Sequence, residues 1–267
     1  MGRLKDRVAV ILGAASKDNM GQVMARRFAA EGANVLVAGR NEAPLRVLAE
    51  EIGGRWATCD ITRKQELEAL AQTAVEAWGK VDVAVNCTGW GLMEKLVDTT
   101  EEQIDRLMDL QFKGTYFFLQ TFCPLLGQQG GGSVIVTTSA SVECLLFNHA
   151  AYIGTKAGGD ALMRCFANEF GAQGVKVNSL APGLTATPMT ADAMGVPGLE
   201  EAFLPEYPLG RIGTSEDIAN AALWLATDES FVTGQVLQIN GGLTLRRNPF
   251  PWEINQSIAA AATKAKG

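Results

Sequence analysis

The segment Val8-Ala-Val-Ile-Leu12 runs directly into Gly13-Ala-Ala-Ser-Lys-Asp-Asn-Met-Gly21. An unbroken apolar run of this length reads as a strand buried on both faces, the environment of a parallel sheet covered by helices. Met20–Glu31 then carries a helical apolar pattern, closed by Gly32. Small residues at Gly13 and Gly21 permit a tight strand-to-helix turn, so that backbone can approach a phosphate at the positive end of the helix. Asn19 suits the middle of that turn, because asparagine tolerates the left-handed conformation better than most residues. An ordinary strand-to-helix loop is the other reading of the same residues.

The alternation continues outward from this segment. Strands are predicted at Asn34–Ala38, Arg55–Cys59, Val81–Asn86, Ser133–Thr138, Lys176–Leu180 and Gln235–Ile239. Helices are predicted at Ala43–Ile52, Arg63–Trp78, Glu101–Leu126, Ala150–Gly171 and Ser215–Ala226. This spacing implies right-handed βαβ units in one α/β domain, a doubly wound parallel sheet of about seven strands. Residues 1–242 make up that domain, with an irregular insertion at 184–208, and residues 243–267 form a C-terminal tail. In such sheets ligands bind beyond the carboxyl ends of the strands, so chemistry-bearing residues are expected there.

Composition removes several classes. Of 267 residues 47% are apolar and 19% charged, which is globular rather than disordered, and the net charge of −6 argues against a nucleic-acid partner. Cys59, Cys87, Cys123, Cys144 and Cys165 form no C-x-x-C pair, and reduced thiols are expected. With His149 the single histidine, a multi-histidine metal site is impossible, and no metal is expected. The N-terminus lacks an apolar leader, and the most apolar stretch, Tyr116–Leu126, is too short to span a bilayer. A cytoplasmic protein without membrane contact is the expectation.

The second strand ends Val37-Ala38-Gly39-Arg40-Asn41, with no acid. In dinucleotide-binding folds an acid here takes the ribose 2′-hydroxyl of NAD, whereas a positive residue nearby favours the 2′-phosphate of NADP. Arg40, with Lys17 as a second charge, therefore points to NADP(H) over NAD(H), unless Arg40 is merely a solvated surface residue. Asp60 follows the third strand, within reach of an adenine ring. Asn86-Cys87-Thr88-Gly89 follows the fourth, where small polar groups let the chain turn beneath a cofactor.

Tyr152-Ile-Gly-Thr-Lys156 puts a phenol and an ammonium one turn apart on one helical face. A phenol with a pKa near ~10 transfers protons poorly at neutral pH, and a neighbouring cation stabilises its anion. Ser139, just after the preceding strand, could donate a hydrogen bond to a carbonyl. An interfacial tyrosine beside a surface lysine would show the same spacing.

Together these residues resemble the short-chain dehydrogenase/reductase family over nearly the whole chain. The match rests on Gly13…Gly21, Asp60, Asn86–Gly89, Ser139 and Tyr152-x-x-x-Lys156. Downstream it adds Val177-Asn-Ser-Leu-Ala-Pro-Gly183, Val232-Thr-Gly-Gln235 and Asn240-Gly-Gly242. The resemblance implies a single-domain Rossmann fold and hydride transfer between a nicotinamide cofactor and a ketone/alcohol pair. It makes Tyr152 the general acid in reduction and the base in oxidation, Lys156 its tuning partner and ribose holder, and Ser139 the residue that orients the carbonyl. It extends the cofactor set to Gly13, Ser16, Lys17, Asn19, Met20, Gly21, Arg40, Asp60, Ile61, Asn86, Thr88, Gly89, Pro182, Gly183, Thr185 and Thr187. It also implies a homo-oligomer, dimer or tetramer, built across the two long helices.

The chain departs from the family pattern in three places. Gln111 stands where an asparagine usually joins a water relay to the lysine. Cys87 and Thr88 replace the usual Asn-Ala. The glycine loop is two residues longer than usual and resembles that of enoyl-acyl-carrier-protein reductases. That branch carries its catalytic tyrosine seven residues before the lysine. Here that position is His149, so carbonyl/alcohol chemistry is preferred to C=C reduction, with His149 a pocket-wall or capping residue.

The expected substrate walls are Trp90, Gly91 and Leu92, then Glu143, Leu145 and Leu146, and the 184–208 segment with Met189, Met194, Phe203 and Leu204. They predict a bulky, largely apolar ketone or secondary alcohol, or else a lid packed on its own domain. A 3-oxoacyl reductase is the alternative, favoured by a basic patch such as Arg246-Arg247 near the site, and a cofactor-sensing module without turnover is a third reading. The tail Asn248-Pro-Phe-Pro-Trp252 is expected either to pack on a neighbouring subunit or, given Ala259–Gly267, to be disordered.

Overall fold

The computed structural model describes residues 2–264. Its elements run β1 (Val8–Leu12), α1 (Met20–Ala30), β2 (Asn34–Gly39), α2 (Glu42–Ile52), β3 (Arg55–Thr58), α3 (Lys64–Trp78) and β4 (Val83–Asn86). Then come α4 (Glu101–Leu107), α5 (Gly114–Gln128), β5 (Gly132–Thr137), α6 (Ala150–Phe170), β6 (Val175–Pro182) and β7 (Thr185–Ala186). The chain closes with α7 (Ala191–Met194), α8 (Leu199–Phe203), β8 (Gly213–Thr214), α9 (Ser215–Ala226), β9 (Val236–Ile239) and α10 (Pro251–Lys264).

Seven strands form the main sheet in the order β3-β2-β1-β4-β5-β6-β9, and every pairing is parallel. The alternation of β1 shows why its run is apolar throughout. Val8, Val10 and Leu12 face one core with Leu67 and Leu70 of α3, Phe118 and Phe122 of α5, and Met163 of α6. Ala9 and Ile11 face the other, with Met24 and Phe28 of α1, Leu45 of α2 and Ile218 of α9. Strand order reverses between β1 and β4, whose ends Leu12 and Asn86 are paired, and this opens the crevice for a ligand.

Three expectations change. The predicted single helix over Glu101–Leu126 is interrupted by a π-helical turn at Met108–Lys113. The wider turn takes one extra residue, and it leaves Gln111 buried. Asn19 is not left-handed: it is the extended N-cap of α1, its side chain accepting from the Gln22 N–H, and Asp18 takes the positive φ of 55°. Asparagine's capping preference wins over its tolerance of the left-handed region.

The tail was the third. Among the described residues it is not disordered but a helix, α10, packed on its own chain; residues 265–267 of the run Ala259–Gly267 lie outside the described residues. Ile254 joins a third apolar cluster of Cys144, Phe203, Tyr207, Ile212 and Leu243. Gly198, at φ 90°, lets α8 approach so closely that a Cβ there would lie 2.6 Å from the Ser257 carbonyl oxygen. The Asn248 side chain donates to the Cys144 carbonyl at 2.5 Å. The tail thus ties the segment after β5 to the 184–208 insertion.

Candidate active site

The turn from β1 to α1 is built by close backbone approach. A Cβ at Gly13, whose φ is 101°, would lie 2.7 Å from the Cys87 carbonyl carbon, so β1 and β4 can exit side by side only with glycine here. Asn19 crosses the turn, donating to the Gly13 carbonyl at 2.8 Å, and Gln22 donates to the Ala14 carbonyl at 3.0 Å. No acid occupies the first turn of α1, so no carboxylate there offsets its positive end. Ser16, Lys17 and Arg40 are exposed, Met20 is half-buried and Gly21 buried. Neither Lys17 nor Arg40 forms an ion pair among the described residues. These residues fit the pyrophosphate and ribose end of a dinucleotide.

Asp60 follows β3 and is held by the Thr62 N–H at 3.0 Å and the Thr62 hydroxyl at 2.9 Å. Ile61 is buried against Gly114. At the end of β4 the Asn86 amide oxygen accepts from the Thr88 N–H (2.9 Å) and hydroxyl (2.7 Å), which fixes the chain towards Gly89. Pro182 closes β6, the Thr185 hydroxyl donates to the Gly183 carbonyl at 2.9 Å, and the Thr187 N–H donates to the Thr190 hydroxyl at 3.1 Å.

Ser139, Tyr152 and Lys156 come together where β5 ends and α6 begins. Ser139 caps the short turn after β5 and shares a 2.8 Å hydrogen bond with the Ser141 hydroxyl. Burial pushes the Tyr152 phenol above its ordinary value, and the Ser139 hydroxyl pulls it part of the way back. Burial pulls Lys156 down to about 8, opposed first by Asp160. The spacing predicted a lysine-lowered phenol. In the structure Lys156 instead donates to the Thr137 carbonyl at 2.8 Å and stands 5.8 Å from the Tyr152 ring centre, so burial dominates.

Gln111 reaches this cluster from the π turn. Its amide donates to the Thr155 hydroxyl at 2.7 Å and its oxygen accepts from the Trp90 N–H at 3.1 Å. A Cβ on Gly89 would lie 3.3 Å from that oxygen and 3.4 Å from Lys156 Nζ, so all three groups converge. Thr155, Thr137 and Ser141 were missed by sequence reasoning. Thr155 had one usable signal: it lies on α6 one residue before Lys156, within reach of an incoming side chain.

The predicted walls are unevenly disposed. The Trp90 ring lies 4.0 Å under the Arg106 guanidinium, and Leu92 is buried. His149 holds the Phe147 carbonyl through Nδ1 at 2.6 Å, and its ring stands edge-on to Tyr152 at 6.1 Å; it occupies the N-cap position of α6 without a side-chain cap bond. Met189 is 64% and Leu145 71% exposed, and Glu143 is exposed too. Leu146 and Met194 pack into the cluster under the insertion. Arg246 bonds the Pro205 carbonyl and Arg247 pairs with Glu253 at 2.7 Å, so both are engaged locally.

A doubly wound sheet with an anion-ready helix end at its switch point and a Ser–Tyr–Lys cluster beside it defines a nucleotide-dependent oxidoreductase. A family model described as "Enoyl-(Acyl carrier protein) reductase" matches residues 13–244. The chain is 35% identical to the 7alpha-hydroxysteroid dehydrogenase of Escherichia coli strain K12, covering 90% of this chain and 95% of that one. It is 32% identical to a 3-oxoacyl-[acyl-carrier-protein] reductase of Thermotoga maritima, covering 91% and 100%. A solved short-chain type dehydrogenase/reductase from Mycobacterium ulcerans superposes with a TM-score of 0.88 at 30% identity, covering 96% and 98%. The structure of 7alpha-hydroxysteroid dehydrogenase complexed with NADH and 7-oxo glycochenodeoxycholic acid superposes with 0.83 at 34%, covering 90% and 95%.

The chain belongs to the short-chain dehydrogenase/reductase family. It is an NAD(P)-dependent oxidoreductase that acts on alcohol and ketone groups and binds a nicotinamide cofactor and a small-molecule substrate. Among the described residues no helix is long and apolar enough to cross a membrane, and no His/Cys/Asp/Glu group could hold a metal ion.

Proposed function

We propose that the chain is an NADP(H)-preferring carbonyl reductase or alcohol dehydrogenase whose substrate is a bulky, largely apolar ketone or secondary alcohol. The observation that carries the chemistry is the convergence of Ser139, Tyr152 and Lys156 at the junction of β5 and α6, with Tyr152 at the four-residue spacing from Lys156. The family model's enoyl-reductase description does not alter this reading, because the position seven residues before Lys156 is His149, whose ring nitrogen is engaged with its own loop.

When bound, the nicotinamide supplies or accepts the hydride. The chain's residues do the rest. The hydroxyl of Ser139 orients the substrate oxygen. Tyr152 Oη gives that oxygen a proton in reduction and takes it back in oxidation. The Lys156 ammonium stands behind the phenol, 5.8 Å from its ring centre, where a cation opposes the rise that burial causes, and it would hold the cofactor ribose. Gln111 and Thr155 keep the Lys156 side of the site fixed. Gly13, Ser16, Met20 and Gly21 would hold the pyrophosphate, Asp60 and Ile61 the adenine, and Pro182, Gly183, Thr185 and Thr187 the nicotinamide.

The preference for NADP(H) is supported by Arg40, which stands where an acid would for NAD(H), and by Lys17, both exposed and without ion pairs among the described residues. Apolar Leu92, Leu145 and Met189 support the substrate class, as do relatives named 7alpha-hydroxysteroid dehydrogenase and borneol dehydrogenase. Arg247 is paired with Glu253, whereas Arg246, which donates to a carbonyl, keeps its charge and its exposure, so the 3-oxoacyl alternative retains only part of its basic patch. A homo-oligomer is supported by a shallow apolar cleft of about 300 Å³ on the outer face of the π turn and α5, lined by Met108, Phe112, Tyr116 and Phe117. A cytoplasmic location fits the five free cysteines.

Oxidation of NADPH and NADH, followed by absorbance across a panel of apolar ketones, polar sugars and 3-oxoacyl thioesters, tests this. Turnover of apolar ketones with NADPH is expected. Preference for sugars or thioesters would overturn the substrate reading, and tight cofactor binding without turnover would favour the sensing module.

A further inference from the structure

A buried acid lies behind Lys156, and no step above uses it. Asp160 follows Lys156 on α6 by one turn, as Lys156 follows Tyr152, so the three share one helical face. Asp160 is 3% exposed and Lys156 6%. Aspartate is seldom buried to this degree without a partner. Yet Asp160 Oδ1 has no hydrogen-bond partner, and neither does Ser179 Oγ on β6 or Thr137 Oγ1 on β5. The Ser179 and Thr138 hydroxyls face the carboxyl without completing a bond of normal geometry to it. Val136 pairs with Ser179 and Thr137 with Leu180, so the Asp160 carboxyl and the Ser179 and Thr138 hydroxyls form one polar seam between α6 and the sheet, while the Thr137 side chain lies on the opposite face, towards Cys87. The seam begins at the Thr137 carbonyl, which holds Lys156, and ends at Asp160.

A cation buried this deeply is unfavourable without a counter-charge. The groups facing Lys156 are Asp160 on α6, Tyr152 on α6 and the Cys87 thiol beyond β4. Burial holds the Cys87 thiol up to about 12 and raises the Tyr152 phenol, so both are neutral. Burial raises the Asp160 carboxyl above its ordinary value, and the Ser179 and Thr138 hydroxyls with the cations facing it, Arg164 one turn further along and Lys156, act against that rise. Among the described residues, Asp160 is therefore the one carboxylate acting on Lys156. Hydrogen bonding alone does not call for an acid here. An asparagine would serve hydroxyl neighbours as well, since its amide both donates and accepts.

We propose that Asp160 is a positioning residue for the reaction, its buried carboxylate supplying the counter-charge that keeps the Lys156 ammonium in place behind Tyr152. The proposal rests on the reading that Lys156 works as a cation beside Tyr152. Asp160→Asn, nearly isosteric, tests it in the full-length enzyme through the pH dependence of kcat/KM for ketone reduction. Loss of the negative charge lets burial pull Lys156 lower, so the alkaline limb moves to lower pH by about 1 unit, while the rate on the acid side approaches that of the unchanged enzyme. A limb that stays in place, with or without a uniform loss of rate, overturns the proposal.

Should Asp160→Asn fail to fold, Asp160→Ser removes the same charge with a smaller polar side chain. The limb then shifts in the same direction, and an unmoved limb is again contrary. If the unchanged enzyme reduces no carbonyl, the functional reading fails by itself. Titration of the Lys156 side-chain nitrogen by NMR still decides the charge pairing, which requires a lower midpoint in Asp160→Asn and is contradicted by an equal one.

Discussion

The Gln111 amide donates to the Thr155 hydroxyl at 2.7 Å, and that hydroxyl donates in turn to the Tyr152 carbonyl at 2.9 Å. The residue that departs from the family pattern is thus bonded, through one hydroxyl, to the backbone of the proposed proton donor. Its oxygen is also taken, by the Trp90 N–H. The extra methylene relative to asparagine lets one side chain span α6 and the loop beyond β4.

Gln111→Asn therefore shortens the reach and is expected to lose one of the two bonds. The predicted cost is about 1 kcal/mol of stability, with a lower kcat and an unchanged KM for cofactor. Gln111→Leu leaves buried groups unpaired and is expected to cost about 1–3 kcal/mol. Thermal melts and steady-state kinetics measure both, and an unchanged turnover number in Gln111→Asn would show that the bonded span is dispensable.

Arg40→Ala should raise the KM for NADPH by about tenfold or more, the loss of a charge-assisted phosphate contact, while leaving NADH kinetics nearly unchanged. Equal effects on both cofactors would mean that Arg40 does not read the 2′-position.

Lys156 is drawn down to about 8 by burial. A step that needs the ammonium is fully active below that value and fades as pH rises through it. Reductive kcat/KM is expected to fall on the alkaline side around pH 8, and a rate that stays flat well above that point would be inconsistent with a working cation.

The tail bears on substrate choice because it is bonded to both walls. Removing residues 251–267 takes Ile254 from the cluster of Phe203 and Tyr207 and α10 from α8. It should lower the melting temperature and raise KM for bulky ketones more than for small ones, with the sizing profile unchanged. Asn248→Ala should cost about 1–3 kcal/mol by unpairing the buried Cys144 carbonyl. Loss of assembly on truncation would instead indicate a contact between subunits.

Much of this was legible in the sequence. Strand β1 declared itself because a strand apolar on both faces has one natural environment, and the position of Asn86 at a strand end and of Gly13, Asp60 and Ser139 just past others follows from that topology. The π turn at Met108–Lys113 was hidden because Met-Asp-Leu-Gln-Phe-Lys contains no helix-breaking glycine or proline to mark the extra residue. Asp18, not Asn19, took the left-handed turn, since a capping side chain needs extended backbone. Helix α10 had a signal that went unused: Pro251 at its first position, with Trp252 and Ile254 following. Asp160 was invisible as a partner of Lys156 until burial was known, because an acid four residues beyond a lysine usually sits on a solvated face.

The central claim is that Tyr152 passes the proton, and Tyr152→Phe tests it most directly. Kinetics of ketone reduction with NADPH should show kcat lowered by about 10²–10⁴-fold, with the melting temperature and the cofactor dissociation constant unchanged. A folded, cofactor-binding Tyr152→Phe enzyme that retains most of its kcat would contradict the account.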